Sequence, residues 1–211
     1  MKLLVGLGNP GRRYLRTRHN VGFQVALRFA ADHGIAVGEE AYEGLFGRGE
    51  IRRGDAPPVE VGVLQPLTFM NLSGDAVAAA LADLAIQDPS SDLLVAYDDV
   101  DLPFGRLRIR HAGGPGGHNG LLHIIERLGH PRFPRLRFGV GRPPPGFDTR
   151  DYVLEGFSAE ERAVLPERIG ESADAVTVAF CDGVEAAMNR YNRDPTATEP
   201  DPDAEAPRGT R

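Results

Sequence analysis

The sequence has no tryptophan and one cysteine, Cys181. A lone cysteine cannot close an internal disulfide, so nothing points to an oxidising compartment, and Cys181 reads as a small buried apolar residue. Long apolar runs are missing as well. No window approaches ~18 uninterrupted apolar residues, which excludes a spanning helix. The first apolar run is broken by Gly8, Asn9 and Pro10, too soon for a signal-peptide core, so a cytoplasmic protein is the expectation. Several catalytic signatures are absent too. There is no G-x-x-x-x-G-K-[ST], no G-x-S-x-G and no H-E-x-x-H. Phosphate-loop chemistry, a serine elbow and a zinc protease are therefore disfavoured. Asp98, Asp99 and Asp101 match no standard magnesium or calcium loop. His111, His118, His123 and His130 lack the cysteines or tight acidic partner of a zinc site, and read as RNA-facing or structural.

What is present is an ordinary globular composition, 41% apolar and 26% charged over 211 residues, enough for one domain with a sizeable core. The net charge of -6 argues weakly against nucleic acid, but its distribution does not. Between Phe104 and Arg142 eight arginines stand against one acid, Glu126. A second group, Arg12, Arg13, Arg16 and Arg18, contains no acid. Local arginine on an acidic protein fits a polyanion footprint. Solvated strand faces fit it equally, and charge alone does not decide.

Short apolar runs predict strands at Lys2–Val5, Leu45–Arg53, Pro58–Leu64, Leu93–Tyr97 and Arg135–Val140. Arg106–Arg110 alternates with period two, so its arginines share one face. Helices are predicted at His19–His33, Asp75–Ile86 with Asn71 or Ser73 as cap, Leu121–Leu128, and Ala163–Tyr191. The tail over residues 193–211, rich in Pro, Asp, Glu, Ala and Thr, cannot bury a core and is expected to be a disordered acidic appendage to a domain over residues 1–192. Strands alternating with helices give an α/β layered sheet with helices on both faces, where ligands sit at the C-terminal ends of strands.

At the first of those ends stands Gly6-Leu7-Gly8-Asn9-Pro10-Gly11, which has the spacing of a dinucleotide-binding turn. Three features count against that use. Pro10 has no N–H to offer a phosphate. The residues after Gly11 show no apolar helical face until His19. The acidic residue wanted about twenty positions on is Asp32, inside the predicted helix. The turn is better read as a bend that projects Asn9. Beside similar turns stand His19 and Asn20, Asn71, Asp98, and His118 with Asn119. A histidine near neutral pKa is the natural general base. A carboxylate on its other nitrogen fixes the tautomer. Asparagine amides read peptide groups and stabilise an oxyanion. With no nucleophile motif, water is the attacker. Each residue taken singly also fits a turn or helix cap.

The strings GLGNPGRRYLRTRHNVG, LQPLTFMNLSG, YDDVDLPFG and GGPGGHNG, in that order, closely resemble the bacterial peptidyl-tRNA hydrolase family, from Lys2 to about Asn192. The resemblance implies a single-domain three-layer α/β/α sandwich around a twisted mixed sheet. It implies a cytoplasmic monomer without cofactor or metal that cleaves the ester joining a peptide to the 3′ end of tRNA. It gives His19 as base and Asp98 as its partner. Asn9 and Asn71 would bind the peptide and position water or the oxyanion, Asn119 would hold water and substrate from the glycine loop, and Tyr14, Phe69 and Met70 would line the cleft. Arg108 and Arg110 match basic positions that meet tRNA phosphates at the acceptor stem and 3′ end, a surface Arg135 and Arg137 would extend. The chain departs from the pattern at Tyr97, where many members carry histidine, at Pro115 in the glycine loop, and in its tail. A non-catalytic RNA-binding relative is the rival reading, disfavoured by the intact His19 and Asp98.

Overall fold

A computed structural model describes residues 1–193. Seven strands form one mixed sheet: β1 (Lys2–Gly6), β2 (Glu39–Ala41), β3 (Gly44–Ile51), β4 (Val59–Pro66), β5 (Leu93–Asp99), β6 (Leu107–Arg110) and β7 (Arg135–Gly139). Their spatial order is β2-β3-β4-β1-β5-β7-β6. The inner four strands run parallel, and β2, β3 and β6 are antiparallel flanks. Parallel strands covered on both faces need apolar residues at successive positions. In β1, Leu4 enters the core shared with helices α1 (Val21–Asp32) and α6 (Ala159–Cys181), whereas Leu3 and Val5 enter the opposite core under α2 (Ser73–Asp83) and α4 (Asn119–Leu128). Three short helices, α3 (Pro89–Asp92), α5 (Thr149–Val153) and α7 (Val184–Tyr191), complete an α/β/α sandwich.

The long helix expected over Ala163–Tyr191 is two helices. α6 starts four residues earlier, where Ser158 and Glu161 form a reciprocal capping box. It stops before Gly183, whose φ of 98° no helix accommodates, and α7 follows. The helix expected from His19 begins instead as a 3-10 helix at Arg18–Asn20, and α1 proper starts at Val21. Neither Asn71 nor Ser73 caps α2. A 3-10 helix at Met70–Leu72 leads directly into it, and the Ser73 hydroxyl donates to the Met70 carbonyl at 3.0 Å. Strand β2 is short and polar, so no apolar run announced it. Cys181 is half-buried against the core rather than enclosed. The tail expected from residue 193 onward lies, after that residue, outside the described residues.

At the other edge of the sheet, Asn192 imitates a strand. Its Oδ1 accepts from Ile109 N at 2.7 Å and its Nδ2 donates to Ile109 O at 3.0 Å. The outward-facing polar groups of β6 at that residue are thereby satisfied, as an exposed sheet edge requires.

Two glycines set the height of α1 above the sheet. A Cβ on Gly22 would lie 2.3 Å from the Ala96 carbonyl oxygen and 2.5 Å from Leu7 N, and one on Gly6 would lie 2.3 Å from Gly22 O. With both side chains missing, Phe23 N donates to Leu7 O at 3.1 Å, fixing helix to strand end. Gly8 likewise makes room for the Phe23 ring. The glycine spacing near the start of the chain therefore serves helix–strand contact rather than a phosphate. Gly22→Ala forces backbone apart and is expected to cost about 3 kcal/mol, roughly 6–12 °C in Tm by thermal circular dichroism.

Candidate active site

The turn before α1 is nailed down from behind. Arg18 is buried, and its guanidinium donates to Gly156 O at 2.5 Å and to Glu161 Oε2 at 2.8 Å. The same group stacks on Tyr152, 4.3 Å from the ring centre, and lies near Phe157. Arg18 N also donates to Glu155 O at 3.0 Å. Arg18 is therefore a structural clamp rather than part of a polyanion surface, whereas Arg12, Arg13 and Arg16 stay exposed. Held this way, His19 projects over the C-terminal end of β5.

There it meets Asp98, which is buried at 4% exposure. Asp98 Oδ1 accepts from His19 Nδ1 at 2.8 Å and from His118 Nε2 at 3.1 Å. Burial alone would raise the Asp98 pKa, but the two imidazoles and their hydrogen bonds hold it well below the usual carboxylate range. Burial likewise pulls His19 down, and the charge and hydrogen bond of Asp98 outweigh it, so its pKa is raised above 6.5. The two histidines differ in tautomeric freedom. His118 Nδ1 accepts from Leu121 N at 3.3 Å, as the cap of α4, so the ring proton sits on Nε2 and both nitrogens are used. His19 uses only Nδ1. Its Nε2 keeps a free lone pair on the cleft. His19, Asp98 and His118 offer ligand atoms within 4.8 Å of one another. For His118 to bind a cation through Nε2 it would have to lose that proton while still serving Leu121 N–H, a demand neutral imidazole cannot meet.

Asn9 is fixed on three sides. Asn20 Oδ1 accepts from Asn9 N, and Asn20 Nδ2 donates to Asn9 O, both at 2.9 Å. Asn9 Oδ1 accepts from Met70 N at 2.9 Å. A backbone N–H can only donate, so the orientation of the Asn9 amide is settled and Nδ2 is the group it presents. Asn71 is exposed and has no hydrogen-bond partner among the described residues. Tyr14 is half-buried, with Arg13 4.5 Å over its ring. Phe69 is 54% exposed. Met70 departs from expectation: it is a core residue in contact with Gly120, and it serves the site through its N–H.

A cleft of about 750 Å³ opens beside His19 and Asp98. Its walls include the glycine loop with Asn119, the end of β5 with Tyr97 and Asp99, Arg110, Arg135 and Arg137, and the start of α5. Asn9, Tyr14, Phe69, Met70 and Asn71 are not among the residues that line it. Tyr97 packs edge-on to His118 at 4.9 Å, and burial followed by the nearby Asp99 pushes its pKa up to about 12, so the phenol stays neutral.

The arginines share one face of the sheet as the alternation predicts. Register pairs Arg108 with Arg137 and Arg110 with Arg135. Like charges directly opposite repel, and two of the four are neutralised or enclosed. Arg137 ion-pairs with Asp99. Arg135 is only 2% exposed, stacks on Phe133 at 4.4 Å, and donates to Gly114 O at 3.1 Å and Pro131 O at 2.9 Å. Arg135 thus holds the glycine loop instead of extending a solvent-facing basic surface. Arg108 and Arg110 have no hydrogen-bond or ion-pair partner among the described residues. Sequence reasoning placed Asn20 and His118 among the polar residues beside turns and Arg18 in a basic cluster, but gave none of them the positioning contacts seen here. The repeated His-Asn pair at the start of two helices was the available signal for the first two.

The model of the family described as Peptidyl-tRNA hydrolase matches residues 3–199. The chain is 50% identical over 192 residues to the peptidyl-tRNA hydrolase of Chloroflexus aggregans, covering 91% of this chain and 99% of that one. It is 47% identical over 191 residues to that of Symbiobacterium thermophilum, covering 90% and 98%. It superimposes on the crystal structure of peptidyl-tRNA hydrolase from Acinetobacter baumannii with a TM-score of 0.81 and 34% identity, over 91% of this chain and 94% of the other.

Replacing the shared carboxylate tests the electrostatics. In Asp98→Asn the raising influence on His19 is lost while burial remains. The His19 ring should then titrate below 6.5 by NMR, against above 6.5 in the unaltered protein.

Proposed function

The chain belongs to the peptidyl-tRNA hydrolase family, and we propose that it cleaves the ester between a peptide and tRNA with His19 as general base on water. The observation that carries this is the 2.8 Å bond from His19 Nδ1 to Asp98, which leaves Nε2 as the acceptor at the cleft. Nε2 takes a proton from water as the water oxygen attacks the ester carbonyl carbon. The carbonyl π electrons move to oxygen. On collapse the ribose oxygen leaves and takes the proton back from the His19 imidazolium. Asp98 stays ionised throughout and stabilises that imidazolium. General-base assistance of this kind is worth ~10²–10⁴ in rate. His118 supports the same carboxylate and takes no proton, because both of its nitrogens are engaged.

Asn71 and Asn119 supply amide donors for the developing oxyanion, each worth about 10²–10³. Asn119 is also the first residue of α4, where the helix dipole favours negative charge. Asn9 presents Nδ2 as a donor to a peptide carbonyl of the substrate. Aminoacyl-tRNA has a cationic amine and no such carbonyl, so it forfeits this bond and must be desolvated to enter. Phe69 and Tyr14 supply apolar contact on the same side.

Arg108 and Arg110 are free to meet phosphates of the acceptor stem and 3′ end, with Arg137 beside them on its Asp99 partner. The proposal extends to a monomer working in the cytoplasm without cofactor. No helix among the described residues is long and apolar enough to cross a membrane.

Three measurements check the roles. His19→Ala should lower single-turnover cleavage of peptidyl-tRNA by at least about a hundredfold, and a loss under about tenfold removes His19 as base. The base must be neutral, and its pKa is raised, so kcat/KM should climb with pH through a midpoint above 6.5. Arg110→Ala should weaken tRNA binding and reduce the salt slope by about one, with N-acetylaminoacyl ester chemistry on a minimal substrate unchanged.

A further inference from the structure

A second hollow, of about 680 Å³, shares no lining residue with the basic cleft and is bounded by the segment that leads into the Met70–Leu72 turn. Its floor and walls include Leu67, Phe69 and Leu72, which are 41%, 54% and 45% exposed, and the hairpin tip at Tyr42 and Glu43. We propose that this trough is a subsite for apolar side chains of the substrate peptide upstream of the esterified residue. The inference rests on the hydrolase reading and adds to it where the peptide goes and which residues it favours.

Four observations carry it. The trough is joined to Asn9 by one short string of chain. Leu67, Thr68 and Phe69 line the trough, Met70 bonds to Asn9, and Asn71 stands free. A chain lying along these residues advances ~3.3 Å per residue, so successive peptide positions meet Asn9 first and the apolar wall later. Second, the hairpin tip is strained. Tyr42 and Glu43 hold φ of 53° and 52°, a conformation in which tight hairpins use Asn-Gly. The turn keeps an aromatic there instead, with Tyr42 Oη donating to Asp83 at 2.6 Å and its ring edge-on to Phe46 at 5.2 Å. Rule-breaking turn residues of this kind are characteristic of binding sites. Third, Glu40 and Glu43 rim the trough. Carboxylates repel phosphate, so RNA is directed to the cleft that carries Arg110 and Arg137, and the trough is left to peptide. Fourth, three exposed apolar side chains are too small a patch for a stable folded partner, which needs on the order of 1,200 Å² or more, but suit a few side chains of an extended peptide.

The test compares three substrates on the full chain: N-acetylaminoacyl-tRNA, which is too short to reach the trough, and two tetrapeptidyl-tRNAs with leucine or serine at the upstream positions. The unaltered protein should show a KM about tenfold lower for the leucine peptide than for the serine peptide. The double variant Leu67→Gln/Leu72→Gln should erase that difference and leave kcat and KM for N-acetylaminoacyl-tRNA unchanged. Equal KM values for the two tetrapeptides in the unaltered protein overturn the subsite while leaving the hydrolase reading intact. So does a variant that slows all three substrates alike. A concentration-dependent dimer in sedimentation that the double variant dissociates, with KM values untouched, assigns the trough to a second copy and also overturns it. If the unaltered protein cleaves none of the three, the hydrolase reading fails and takes the subsite with it. The comparison of leucine and serine peptides needs no variant, so it stands even if the substitutions impair folding.

Discussion

A single carboxylate oxygen, Asp98 Oδ1, holds three separate parts of the molecule at one point. It sits at the end of β5 and receives one imidazole from the turn before α1 and another from the cap of α4. Hydrogen bonds to a charged group contribute roughly 1.5–3 kcal/mol each, and burying a carboxylate without them costs several. The arrangement is asymmetric by construction. Leu121 N–H occupies Nδ1 of one ring, so only the other ring keeps a nitrogen without a partner. The same linkage sets the pH response of the fold. The lowered Asp98 pKa contributes stability above the ordinary carboxylate range that is lost as pH falls through the folded value. The raised His19 pKa contributes stability that is complete below 6.5 and lost as pH rises through the folded value.

That meeting point exists because backbone packs on backbone. Gly6 and Gly22 let the start of α1 descend onto the ends of β1 and β5, which brings the preceding turn, and His19 with it, over Asp98. The hydrogen bonds between Asn9 and Asn20 then tie the glycine turn to the same segment. A spacing that imitates a phosphate loop thus does different physical work. It sets a distance between a strand end and a helix, and the polar residues that follow inherit their positions from it.

The parallel strands were legible because burial on both faces demands apolar residues in succession, as at Leu93–Tyr97. The shared face of the arginines was legible from strict alternation. Arg135 shows the limit of that argument. Alternation gives a side chain its face, but what covers the face comes from the glycine loop and from Phe133, which a strand pattern does not encode. His19 and Asp98 were legible through their motifs, while their supports were not. Arg18 reaches Glu161 across 143 positions, and His118 acts through Asp98, 20 positions away on another element. Short elements such as β2 and α5 owe their form to neighbours rather than to local pattern. The break at Gly183 was readable in principle, since a glycine in a long apolar helix is the expected place for one.

The side chain of Asn192 has a consequence for the basic face. Strand β6 carries Arg108 and Arg110, whose side chains have no partner among the described residues, and its outer edge is closed by that one amide and by the bond from Arg106 to Asn192 O at 2.9 Å. The segment that ends the final described helix therefore works as a splint for the strand that carries Arg108 and Arg110. A chain shortened by even the last turn of α7 would lose both contacts and present Arg108 and Arg110 from a frayed border. The same border, stripped of its cover, would be open to pairing with the strand of another molecule.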